Sequence, residues 1–312
     1  MKQLTNYCPV MGYEKQIDAY PGKLKGYLDD NKLQGVELNV YADKPYEEDF
    51  RGLATGVHLR YWPMWLEYWN SNGKNLPDNP IAASYAIKEC NNEEWLQTIR
   101  RNIKAAIVCE PEYLVWHVSD CLMEEIYSRH FKHSDADVIE GTIEVFNEIV
   151  DVIPPNVQVL FENLWWPGLT LKNPAVAEKL LTGVKHKNVG FMLDTGHLMN
   201  TNWQLTTEQE AVKYVIETAA ELGELKCYIK GLHLSCSLSG EYQRGSVGEV
   251  PKSLTIGELM KHIGMIDEHK VFQQADLRPL IEFIEPEYVN HELYYDTMEH
   301  LSSLLKIQQA KM

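Results

Sequence analysis

Short apolar runs alternate with longer amphipathic segments along the whole chain, and this rhythm restricts the fold more than any other feature. The runs cover residues 4–10, 35–40, 56–61, 113–119, 157–163, 189–195, 229–235 and 288–293. Between them, residues 93–108 place Trp95, Leu96, Ile99, Ile103 and Ile107 at helical spacing. Residues 207–222 do the same with Ala211, Val212, Val215, Ile216 and Ala219. An apolar residue recurring every three to four positions is the mark of a helix with one buried face. Thr207, with Glu210 three residues on, predicts a capping box at the start of the second helix. Residues 295–309 read as a closing helix with Leu301, Leu304 and Leu305 inward. Strands that alternate with helices build βαβ units and a parallel sheet.

Two architectures satisfy that rhythm, a closed barrel and an open doubly wound sheet. No G-x-G-x-x-G follows the early strands, which argues against a dinucleotide site. The 312 residues match one (β/α)8 TIM barrel spanning 1–312 as a single domain. Apolar residues make up 45% of the chain, enough for a large core without disulfide or metal staples.

The position of the polar residues favours the barrel. Barrel chemistry sits at the C-terminal ends of the strands and in the loops that follow. His58, His117, Glu162, Asp194, His233 and Glu292 lie in or at the ends of six runs, and His197 follows Asp194 three residues later. Asp267 and His269 form an Asp-x-His between the last two runs, and Glu37 lies towards the same end of the second. One histidine in a strand reads as a satisfied core residue. Strands of a parallel barrel are buried on both faces, however, and buried charge is costly unless paired or metal-bound. An ionisable residue at strand after strand therefore points to a site. Carboxylates and imidazoles without thiols suit Zn2+, Mn2+ or related ions. Tyr61, Trp62, Trp65 and Trp69 cluster after His58, and Trp165 and Trp166 follow Glu162. Trp62, Trp165 and Trp166 are expected to bind substrate by stacking. Arg60 and Arg244 are expected to meet an anionic group, Arg244 from a lid-like EYQRGS loop.

The segments FEN (161–163), MLDTGH (192–197), GLHLS (231–235), DEH (267–269) and HEL (291–293) give the chain a resemblance to the xylose isomerase-like TIM barrel superfamily. That group includes endonuclease IV-type AP endonucleases (AP endonuclease family 2) and sugar isomerases and epimerases. The resemblance extends over nearly the whole sequence. It implies a metal core of Glu162, Asp194, His233 and Glu292, with Glu162 and Glu292 able to move protons. The endonuclease IV branch adds ligands that match His58, His117, His197, Asp267 and His269, and holds three zinc ions. Asp267 lies farther beyond His233 than that pattern predicts, so residues 238–262 read as a loop insertion.

Two chemistries follow. The first is hydrolysis of a small or cofactor-like phosphoester with two or three Zn2+ ions. The second is isomerisation or epimerisation of a sugar with one Mn2+ or Mg2+ and two glutamates. A barrel that only binds is a third, weaker reading. The formal charge of −16 argues against duplex DNA, whose binding rests on lysine and arginine. A small-molecule substrate is expected instead. Six cysteines without a C-x-x-C pair, no apolar run near the ~18 residues of a membrane span, and no signal-peptide pattern point to a cytoplasmic protein. Oligomeric state has no signature in the sequence.

Overall fold

The computed structural model describes residues 1–9, 13–40, 50–74 and 87–312. Each apolar run forms a strand: β1 (Lys2–Tyr7), β2 (Gly35–Asn39), β3 (Ala54–His58), β4 (Tyr113–His117), β5 (Gln158–Glu162), β6 (Val189–Asp194), β7 (Ile229–His233) and β8 (Tyr288–His291). All pair in parallel and in chain order, and β8 pairs with β1. The sheet is thus a closed barrel, the (β/α)8 form that the alternation and the polar strand ends together predict. The strands stop short of several runs. β1 starts at Lys2 and ends at Tyr7, and Val10 lies outside the described residues. β3 ends at His58, which leaves Arg60 and Tyr61 to the loop beyond it.

Parallel register brings the polar strand ends to one level. His117 lies beside Glu162, Asp194 beside His233, and Asn39 beside His58. Beneath them, Leu4, Tyr113, Val115, Leu160, Met192 and Tyr288 plug the barrel interior. Two strand glycines make room for this plug. A Cβ on Gly56 would stand 2.1 Å from the Tyr113 ring, and one on Gly231 2.6 Å from Met192. Both distances are far inside van der Waals contact, so any larger residue would displace the plug.

The outer helices start where the sequence gives them caps. Asn91 accepts from Glu94 N ahead of Asn92–Ile107, and Thr207 and Glu210 form the expected capping box ahead of Glu208–Glu221. In the last helix, Met298–Gln309, Leu301 and Leu305 are fully buried, whereas Leu304 is only partly covered. The stretch 238–262 lies between β7 and β8. It holds a short helix, Gly240–Gly245, and most of a longer one, Ile256–Ile266. The six cysteines are free thiols. Among the described residues, no helix is long and apolar enough to cross a membrane.

Candidate metal centre

Five strands deliver their last residue to one place. His58, His117, Glu162, Asp194 and His233 end β3 to β7, and Glu292 stands one residue past β8. Asp194 also caps the short helix Thr195–Met199, where its Oδ1 accepts from His197 N at 2.6 Å. That cap fixes His197 over the barrel mouth. Asp267 ends the helix Ile256–Ile266, and His269 follows with φ 43°. A histidine in the left-handed region is strained, and such strain persists only where the surroundings impose it.

Glu162 is the hub. Its Oε2 lies 3.1 Å from His58 Nε2 and 2.8 Å from His117 Nε2. Its Oε1 lies 3.1 Å from His233 Nδ1 and 3.3 Å from His197 Nδ1. Asp267 Oδ2 lies 2.7 Å from His269 Nε2 and 3.2 Å from His197 Nε2. Glu292 Oε2 stands 2.9 Å from His233 Nδ1. The ionisable side chains fall into groups compact enough to hold a cation: His58, His117 and Glu162; Glu162, Asp194, His233 and Glu292; and His197, Asp267 and His269. Glu37, His58 and His233 form a further such group. All nine residues expected as metal ligands are therefore brought together, Asp267 and His269 included.

The imidazoles are oriented from behind. The Nδ1–H groups of His58, His197 and His269 donate to the backbone carbonyls of Leu59, Asn163 and Glu292, at 3.0, 2.8 and 3.1 Å. A carbonyl only accepts, so Nδ1 carries the hydrogen in each ring. Each Nε2 then presents a lone pair towards a carboxylate unless a proton or a cation lies between them. Outer hydrogen bonds of this kind set the tautomer of a ligating histidine. His233 is held by its other nitrogen: Nε2 meets Glu37 Oε1 at 2.9 Å, and Tyr113 Oη donates to Glu37 Oε2 at 2.7 Å.

The electrostatics show a site short of positive charge. Burial alone would lower the pKa of His58, but Glu162, with Glu37 and Glu292, raises it to about 9. His269 likewise rises to about 9, because Asp267 outweighs burial. His197 and His233 are pushed well up against the same penalty by the carboxylates around them. His117 goes the other way: burial dominates, and His58 and His197 repel its proton. Asp194 is raised by burial despite His197. Asp194 Oδ2, Asp267 Oδ1 and His117 Nδ1 are buried without a hydrogen-bond partner. Buried polar atoms left so are costly. Nitrogen and oxygen donors around them fit divalent cations well.

The other expected site residues separate. Trp165 and Trp166 line a cavity of about 430 Å3 over the ligand groups, and the Trp165 ring lies 5.1 Å from that of His197. Trp62 is packed under Arg60, at 4.0 Å, and against Trp95. It does not line that cavity, nor does Arg60. Arg244 is exposed, lies on the helix Gly240–Gly245 and donates to the Trp203 carbonyl, away from the ligand groups. The expected lid loop is helical there. Asn163 went unread in the sequence. Its side chain clamps Asp194 through Nδ2 to Asp194 O at 3.1 Å and Asp194 N to Oδ1 at 2.8 Å, while its carbonyl orients His197. The polar residue next to Glu162 in FEN was the available signal.

The fold and these strand ends define a (β/α)8 barrel with a cluster of buried imidazoles and carboxylates at its C-terminal rim. The family model for xylose isomerase-like TIM barrels matches residues 13–304, so the chain belongs to that family. Among solved structures, endonuclease IV from Thermus thermophilus matches at 14% identity and TM-score 0.55, over 100% of this chain and 98% of that one. A proposed xylose isomerase from Rhodospirillum rubrum matches at 13% identity and TM-score 0.55, over 99% of each chain. The IolI protein with a bound zinc atom matches at 13% identity and TM-score 0.52, over 100% and 96%. At these identities the likeness concerns the fold. A search of curated proteins found no match to this chain.

Proposed function

We propose that this protein is a metal-dependent phosphoesterase acting on a small molecule, with two or three divalent cations, zinc foremost, held by the nine rim residues. One observation carries the reading: the two oxygens of Glu162 face different ligand groups, Oε2 towards His58 and His117 and Oε1 towards His233. A carboxylate so placed suits a bridge between two cations. His58 and His117 would hold one ion with Glu162; Asp194, His233 and Glu292 would hold a second; His197, Asp267 and His269 would hold a third. Bound ions would supply the charge that activates water and steadies an in-line displacement at phosphorus.

The protein's own groups do the rest. The carbonyls behind His58, His197 and His269 keep the Nε2 atoms aimed at the centre. Glu37 holds His233 from the far side. Glu292, with 15% of its side chain exposed against 1% or less for Glu162 and Asp194, is the core carboxylate nearest solvent and the one placed to exchange a proton with substrate or water.

Sugar isomerisation is less well supported. It asks Glu162 to present a free oxygen as a base, and both are engaged by imidazoles. The net charge of −16 keeps duplex DNA an unfavourable partner. The test is the double variant His58→Asn, His117→Asn. It should bind at least one cation fewer and lose phosphoester hydrolysis together with it. Full hydrolysis by protein holding a single ion would sink the proposal.

A further inference from the structure

The cavity over the ligand groups has two chemically distinct faces. His58, His117, His197, Asp267, His269 and Glu292 form its polar side. Met64, Met123, Ile126, Leu164, Leu259 and Ile263 line the rest, and Trp165 and Trp166 add indole faces. These apolar residues come from four connections, those after β3, β4, β5 and β7. Most of them belong to a hydrophobic cluster of their own, separate from the barrel's main core. Among the described residues, neither a lysine nor an arginine lines this cavity. Arg129 and Lys172 line a neighbouring one that shares only Trp165 with it.

The helix Ile256–Ile266 completes the apolar side and continues it outward. Leu259 is buried, while Met260 lines the same cavity with 50% of its surface exposed, which places it at the mouth. A methionine there adapts to the shape of an apolar guest. The aliphatic side chains of this wall offer no partner to the hydroxyls of a sugar, and burying hydroxyls against them would cost their hydration; polar atoms on this side come from the Tyr61 hydroxyl and the indole N–H groups of Trp165 and Trp166. The wall rewards a hydrocarbon in proportion to the area covered.

We infer that the substrate carries a bulky apolar group, an aryl or comparable hydrocarbon, seated on this wall while its anionic reacting group faces the ligand cluster. The position of the reacting group rests on the phosphoesterase reading; the apolar subsite rests on the wall alone.

The experiment compares naphthylmethylphosphonate with methylphosphonate by calorimetry on the zinc-loaded full chain. The naphthyl ligand should bind at least roughly tenfold tighter, with a negative heat-capacity change. Met260→Glu should erase most of that advantage, and Leu259→Asn should do the same from deeper in the wall. Met260 is half exposed, so its variant tests the wall without risking the fold. A neutral probe, 2-naphthol, followed by quenching of indole fluorescence, should bind with or without zinc and be released by Met260→Glu. Equal affinity for both phosphonates, or failure of 2-naphthol to bind, overturns the inference. If 2-naphthol binds and no phosphoester is turned over, the apolar subsite stands and the phosphoesterase reading falls. If phosphoesters are hydrolysed without regard to their apolar part, the reading stands and the subsite falls.

Discussion

At the scale of single residues, the site is a contest between burial and charge. His58 and His269 take pKa values of about 9 in the folded chain, above the ordinary 6.5. A raised folded-state value means that the stability they contribute is fully present below pH 6.5 and is lost as pH rises through 9. Chelated protein should therefore lose on the order of 3 kcal/mol for each such imidazole between pH 6.5 and pH 9.5. Urea unfolding at the two pH values measures it, and a flat profile contradicts the assignment. Zinc should abolish the loss, because a cation takes over the protons' role. Trp165, beside His197, should contact an aromatic substrate, so Trp165→Ala should raise KM by roughly three- to tenfold. An unchanged KM would mean that it only packs. The clustered acids and histidines were legible in the sequence because charge at the ends of buried strands is too costly to persist without a partner or a cation. Trp62 and Arg244, expected at the substrate, do not line the cavity over the cluster: loop residues lack a periodicity that fixes side-chain direction. Trp62 found a partner in Trp95, and Arg244 found one in a backbone carbonyl.

At the scale of elements, the strands carry the site and the barrel plug carries the strands. Tyr113 is fully buried, fills the space over Gly56 and holds Glu37, which in turn holds His233. Gly56→Ala should destabilise the chain by about 3 kcal/mol through overpacking and weaken cation binding as well. Thr207→Ala, which removes a remote cap, should cost about 1 kcal/mol and leave cation binding unchanged. Denaturant melts paired with zinc titrations separate the two, and equal effects on binding would contradict the chain of contacts from Gly56 to His233. The strands and this cap were legible because periodicity and capping are local signals. The apolar wall was not, since Met64, Met123, Leu164 and Leu259 are far apart in sequence and meet only when the barrel closes.

At the scale of the whole molecule, closure of eight parallel strands turns residues 234 positions apart, from His58 to Glu292, into one cluster. The alternation of runs and helices allowed a closed barrel or an open sheet, and the recurrence of acids and histidines at the strand ends favoured closure and predicted which rim would be charged. The number of cations was beyond the sequence, since it depends on how the two oxygens of Glu162 are shared. The most direct measurement is elemental analysis of metal per chain in protein purified without chelator. Two or three zinc ions per chain are the predicted result. A single ion, confined to Glu162, Asp194, His233 and Glu292, would contradict the multinuclear centre and return the chain to one-metal isomerase chemistry.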